Sequence, residues 1–287
     1  MSGATYCFIF SNLSRPTNPP YSLIYSIHPK KSYWSSTMRT TWRRVVKTEP
    51  LIFLLTVILS FTYLTDNSFG YSESDLQKLL STKVCVGCDL SGADLSGLDL
   101  READLTKANL SKADLTKAKL IQAKLTQAKL TQAKLIQAKL RKANLSKADL
   151  TEANLTEANL TGADLREADL TEANLTEADL TKAKLIMADL TKANLTEADL
   201  QGADLTEADL TKAKLITADL TRANLIEADL QGANLTKADL QGAHLTKANL
   251  KGADLTEADL TEATLTEANL KEANLKGTNL KNTKGRF

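Results

Sequence analysis

From Leu90 to Leu280 every fifth residue is Leu, an unbroken run of 39 quintets. Two positions before each Leu stands Ala, with Cys88, Leu98 and Thr278 as the departures. Between the two apolar residues sits Asp, Asn or Lys, apart from His244 and Thr264. Thr or Ser usually follows the Leu, then a charged residue, Gly or Gln, so the unit reads A-(D/N/K)-L-(T/S)-(E/K/G/Q). This period excludes a single amphipathic helix. Five residues advance about 500° on an α-helix, so successive Leu step by about 140° and spread over every face. A long strand fails as well, because an odd period places alternate Leu on opposite faces. The Ala, Leu, Lys and Glu content favours helix locally, but such a helix would have no stripe to bury.

A chain that turns one corner every five residues satisfies every unit. Ala and Leu, two apart, point inward, and the residue between them points out. Four sides close a coil of 20 residues, and residue i then stacks on i+20 at roughly 4.8 Å, the spacing of paired strands. Leu90, Leu110 and Leu130 therefore fall in one inner column. About ten coils form a rod on the order of 45 to 50 Å long. Burying 39 Leu at about 2 kcal/mol each predicts a core that forms without metal or disulfide.

The run GADLREADLTEANLTEADL, residues 162 to 180, resembles the pentapeptide-repeat proteins. The resemblance implies an all-β fold, a right-handed quadrilateral β-helix. It is specific as to fold and weakly specific as to function. Solenoids protect their terminal coils. Ser74 and Gln77 stand at capping-box spacing, with Leu76, Leu79 and Leu80 at helical spacing, which predicts a short N-terminal capping helix over the first coil. Leu98, large at an Ala position, would fill space under that cap. At the far end, Lys281 to Phe287 is polar and basic, which suits an open edge.

The remaining chain divides at composition breaks. Residues 1–37 carry no periodicity and read as an unplaced segment or a mis-assigned start, with Met38 as an alternative first residue. Residues 38–70 read as a signal peptide or membrane anchor. Leu51 to Leu64 is an apolar run of fourteen, preceded by Arg39, Arg43, Arg44 and Lys47, short for a membrane span but matched to a signal-peptide core. The positive flank would stay cytoplasmic, leaving the rod outside the cytoplasm in a periplasm or lumen. Residues 71–87 form the capping helix and lead-in, 88–282 the β-helix and 283–287 a tail.

Composition narrows the chemistry. Two His and three Cys leave little material for a metal site or a general base. Cys85 and Cys88 form a CxxC with no second pair, Cys85 at a Leu position and Cys88 at an Ala position. Both point inward, as small core residues or as a disulfide in an oxidising compartment. CVGCDLSGADL also resembles the start of many exported members of the family. His244 reads as a solvated surface residue, and the many carboxylates recur along the rod without converging on a pocket.

From Lys112 to Lys147 there are ten bases and one acid, Asp114. Five of them, Lys119, Lys124, Lys129, Lys134 and Lys139, replace Asp/Asn in consecutive quintets and so wrap all four sides. They are a candidate patch for an anionic partner, or the product of unit duplication, since IQAKL and TQAKL are near-copies. Thr181 to Leu210 also matches Thr211 to Leu240 at 25 of 30 positions, one and a half coils apart. A site confined to one face would not survive that shift.

These readings predict a non-enzymatic, exported rod that needs no cofactor, binds no small-molecule substrate and serves as a structural or protein-interaction surface for an unidentified protein partner. The alternative is a DNA-mimicking inhibitor of a type II topoisomerase, as the resemblance allows. Residues 88 to 287 hold 31 acids and 27 bases, a weak charge for mimicry, and export would separate the rod from such a target.

Overall fold

A computed structural model describes residues 70–285. The predicted signal or anchor run Leu51–Leu64 and the alternative start Met38 lie outside the described residues. Among the described residues no helix is long and apolar enough to cross a membrane.

Every fifth residue from Val84 to Thr264 pairs in parallel with the residue twenty positions later. The coil therefore has four sides, each supplied by one quintet. The first side carries the column Val84, Asp104, Lys124 and onward; the second, third and fourth begin at Asp89, Asp94 and Asp99. Sides one and three are opposite, as are sides two and four. Leu and Ala of each quintet fill the interior: the fifth-position Leu from Leu90 to Leu265 are at most 2% exposed, and no polar or charged residue is buried among the described residues.

The corner chemistry explains the period. Ala93 N–H donates to the Leu90 carbonyl at 3.1 Å, and the same turn bond recurs from Ala to the preceding Leu at each corner. The residue just before the Ala is left-handed, φ 55° to 64° among the non-glycine corner residues from Glu102 to Glu272, as the third position of a type II turn demands. Gly supplies this conformation freely at several corners, Gly162 among them (φ 63°). Most corners hold Glu, Lys or Gln instead, and the stacked neighbours impose the geometry on them.

At the N-terminal end lies α1, Glu73–Thr82. Its cap is Ser72, two residues earlier than the expected Ser74: the Ser72 hydroxyl accepts the Asp75 N–H, and Ser74 lies inside the first turn. Gln77 donates to the Glu73 carboxylate rather than reaching back to close a capping box. Leu79 is fully buried and Leu76 half-buried, but Leu80 is 50% exposed, so the covering stripe is narrower than expected. Leu98 is half-buried against the start of the core. At the other end Leu270, Leu275 and Leu280 are also half-buried, and no described element covers the last coil.

Candidate functional site

The outward residue of each quintet has a local task. Three of the five backbone amides bond to adjacent coils: Leu210 N–H donates to Asp229, Lys212 N–H to Gln231 and Asp209 N–H to Ala188. Ala213 N–H closes the turn onto Leu210. The fifth amide, Thr211 N–H, is taken by Oδ1 of Asp209 at 2.8 Å. This Asx contact recurs along the rod, for example at Asp94, Asp149, Asp219 and Asn279. The preference for Asp and Asn thus has a structural cause that reading the position as merely outward-facing missed. The available signal was the short side chain, since Glu and Gln do not stand there.

Lysine has no acceptor to offer that amide. At Lys119, Lys124, Lys129, Lys134 and Lys139 the corner contact is therefore lost in five successive quintets. All five lysines are exposed and distributed over the four sides, with Lys119 and Lys139 adjacent in the fourth. Lys124 and Lys134 meet the carboxylates one coil earlier, Asp104 at 3.6 Å and Asp114 at 3.9 Å. Lys119, Lys129 and Lys139 form no ion pair among the described residues.

Beyond the belt the charges separate by side. The second side carries Asp149, Asp169, Asp189, Asp209 and Asp229 in consecutive coils. On the opposite, fourth side stand Asp179, Asp199, Asp219, Asp239 and Asp259. No ladder aspartate has an ion-pair partner among the described residues; the paired Asp are Asp99, Asp104, Asp114 and Asp164. Neighbouring unit charges about 4.8 Å apart repel by about 0.9 kcal/mol even at the dielectric constant of water. The thirty-residue duplication exchanges sides two and four, Asp189 mapping to Asp219 and Asp199 to Asp229. A pattern on one side would be lost by that shift. The two-sided pattern is preserved.

Local donors tune individual carboxylates. The Arg101 guanidinium holds Asp99 well below the usual carboxylate range, and Arg166 lowers Asp164. At Asp179 partial burial pushes upward, but the donors of Thr181 and Thr161 outweigh it and the group is lowered. Cys85 and Cys88 are 0% and 4% exposed, with Cα atoms 5.2 Å apart, and form a disulfide. His244 is exposed on the first side, between Asn224 and Thr264. No group of His, Cys, Asp and Glu that could hold a metal occurs among the described residues.

The model of pentapeptide repeats matches in eight copies, over stretches that include residues 85–120, 118–156, 148–185, 188–225, 213–252, 223–261 and 243–282. The chain belongs to the pentapeptide-repeat family. Membership implies that the four-sided coil is the family's right-handed quadrilateral β-helix. Among solved structures, HetL of Nostoc sp. strain PCC 7120, a pentapeptide repeat protein involved in heterocyst differentiation regulation, is 38% identical. That similarity covers 67% of this chain and 88% of HetL, with a TM-score of 0.44. A pentapeptide repeat protein of the Arabidopsis thaliana thylakoid lumen is 32% identical over 34% of this chain and 69% of its own, TM-score 0.23. QnrB1, a plasmid-mediated fluoroquinolone resistance protein, is 20% identical over 58% of this chain and 86% of its own, TM-score 0.42. No curated protein matches the chain.

Proposed function

We propose that this chain is a non-catalytic pentapeptide-repeat rod, exported from the cytoplasm, that presents its charged sides to a protein partner. The observation that carries the reading is the segregation of charge into a lysine belt and two opposed aspartate ladders over a core of Leu and Ala. The ladder Asp hold their corner amides, as Asn would, but add like-charge repulsion that Asn would avoid, and the belt gives up corner hydrogen bonds, so the charge itself does not serve the fold. Surfaces of this kind are costs to the folded chain that an external partner offsets.

Export rests on the charged and apolar pattern before residue 70, and an oxidised Cys85–Cys88 pair fits an oxidising compartment. The test is the intact mass and subcellular fraction of the native protein. A soluble extracytoplasmic species beginning near Tyr71, just after Ser68 and Gly70 at the −3 and −1 positions of a signal-peptide cleavage, supports the exported rod, and a full-length membrane species makes Leu51–Leu64 an anchor. A soluble cytoplasmic product retaining that run refutes export.

The aspartate ladders give the second reading, inhibition of a type II topoisomerase by mimicry of DNA, one specific support. A supercoiling assay with purified enzyme and full-length protein decides it: inhibition that weakens when ladder Asp are changed to Asn favours mimicry, and no inhibition removes it.

A further inference from the structure

The fourth side is divided along its length in a way that suits one particular occupant. It begins with Asp99, held by Arg101 and 3.9 Å from Lys83. Lys119 and Lys139 follow, stacked and without ion-pair partners, then Asn159, then the ladder from Asp179 to Asp259. Cations and anions without ion-pair partners among the described residues thus share one side, separated by the uncharged Asn159, which donates to Asp179 at 3.0 Å. We infer that this side is the surface through which two copies of the chain associate, side by side and antiparallel, about a two-fold axis at the Asn159 coil.

That axis sets the partners. Lys119 of each copy meets Asp199 of the other, and Lys139 meets Asp179. Each contact occurs twice, as an isologous interface requires. Parallel in-register packing would instead set Lys119 on Lys119 and Asp179 on Asp179. The second side lacks this balance, with Lys129 alone before its ladder.

The complementary stretch from Lys119 to Asp199 covers four coil steps, about 19 Å. Such a contact is smaller than the roughly 800 Å² per partner of stable complexes, so the dimer is transient and salt-sensitive. Lys is compatible with the outward position elsewhere in the rod, at Lys184 and Lys214, which makes charge reversal there feasible.

Sedimentation velocity of the full chain tests the inference, at about 10 mM ionic strength, where charges act over about 30 Å, and at about 1 M, where they act over about 3 Å. Concentration-dependent dimerisation is expected at low salt and its loss at high salt. The Lys119→Glu/Lys139→Glu variant should lower the association constant on the order of tenfold, and Asp179→Lys/Asp199→Lys should do the same. Combining all four substitutions restores pairing, because both halves of the contact are exchanged. Lys129→Glu, on the opposite side, leaves association unchanged. A monomer at low salt overturns the proposal. So does a dimer indifferent to both double variants, or a loss with Lys129→Glu equal to that of the fourth-side variants. A quadruple variant with wild-type far-ultraviolet circular dichroism that stays monomeric overturns it as well.

Discussion

The Asp75 carboxylate of α1 accepts the Asp89 backbone N–H at 2.9 Å. Inside the rod the equivalent amide bonds to the coil before, as Asn109 N–H does to Cys88, but Asp89 has no described coil before it. Ser72 N–H donates to the Asp89 carbonyl at 3.0 Å, filling the matching vacancy on the acceptor side. Residues 72 to 75 thus imitate one side of a coil and close the edge of the stack. Asp75→Ala should destabilise the first coil by about 1 kcal/mol. Amide exchange should localise the loss to the coil beginning at Val84, leaving the middle of the rod protected.

The core predicts a contrast between the middle of the stack and its open end. Leu185 is fully buried, whereas Leu275 in the last coil is half-buried. Leu185→Ala should cost about 2 to 5 kcal/mol in denaturant unfolding, and Leu275→Ala markedly less. Equal costs would mean that the terminal coil is covered.

Asp219 separates the turn contribution from the ladder charge. Its Oδ1 accepts Thr221 N–H at 2.8 Å. Asp219→Ala removes the acceptor and should destabilise by about 1 kcal/mol. Asp219→Asn keeps it and removes one charge from between Asp199 and Asp239, so it should be neutral or stabilising by a few tenths, about 0.2 to 0.5 kcal/mol. Two equal losses in thermal melts would show that the carboxylate charge, not the acceptor, holds the corner.

Thr217 is a β-branched residue at a corner with φ 56°. Such residues are poorly suited to the left-handed region, and Asn tolerates it better. Thr217→Asn should raise stability by about 0.5 to 1 kcal/mol, read from the urea midpoint. A lowered midpoint would argue that the Thr217 hydroxyl, which donates to the Ile216 carbonyl at 2.6 Å, contributes more than the corner costs.

Acidification should weaken the rod. Asp94, Asp164 and Asp254 are lowered chiefly by side-chain donors from Ser96, Arg166 and Thr256. A carboxylate whose folded value is depressed adds stability above its unfolded value, about 3.9, and loses it as pH falls toward the folded value. The thermal midpoint should therefore fall as pH drops below about 4. A midpoint that climbs instead would mean that relief of ladder repulsion outweighs these contacts.

The coil was legible in the sequence because a strict period of five admits one repeating geometry, and Leu and Ala leave no other core. The belt from Lys119 to Lys139 was legible too, as a break in a monotonous pattern. The cap was legible only in outline. Ser72 and Ser74 are both chemically able to begin a helix, and the choice of Ser72 depends on its amide reaching Asp89, a partner supplied by the first coil. Leu80 shows the same limit, since helical spacing alone assigned it to a stripe that the coil is too narrow to cover.

What the linear pattern determined was everything that repeats within five residues: inward Leu and Ala, a corner, and an outward polar position. What only the tertiary structure decided is which outward residues become neighbours. Asp179 and Asp199 are twenty residues apart in the chain and adjacent on one side, and Lys119 and Lys139 stack in the same column. The physical reason is that backbone pairing between coils, not any contact between these side chains, sets the register. Charges are therefore brought into line by hydrogen bonds in which they take no part.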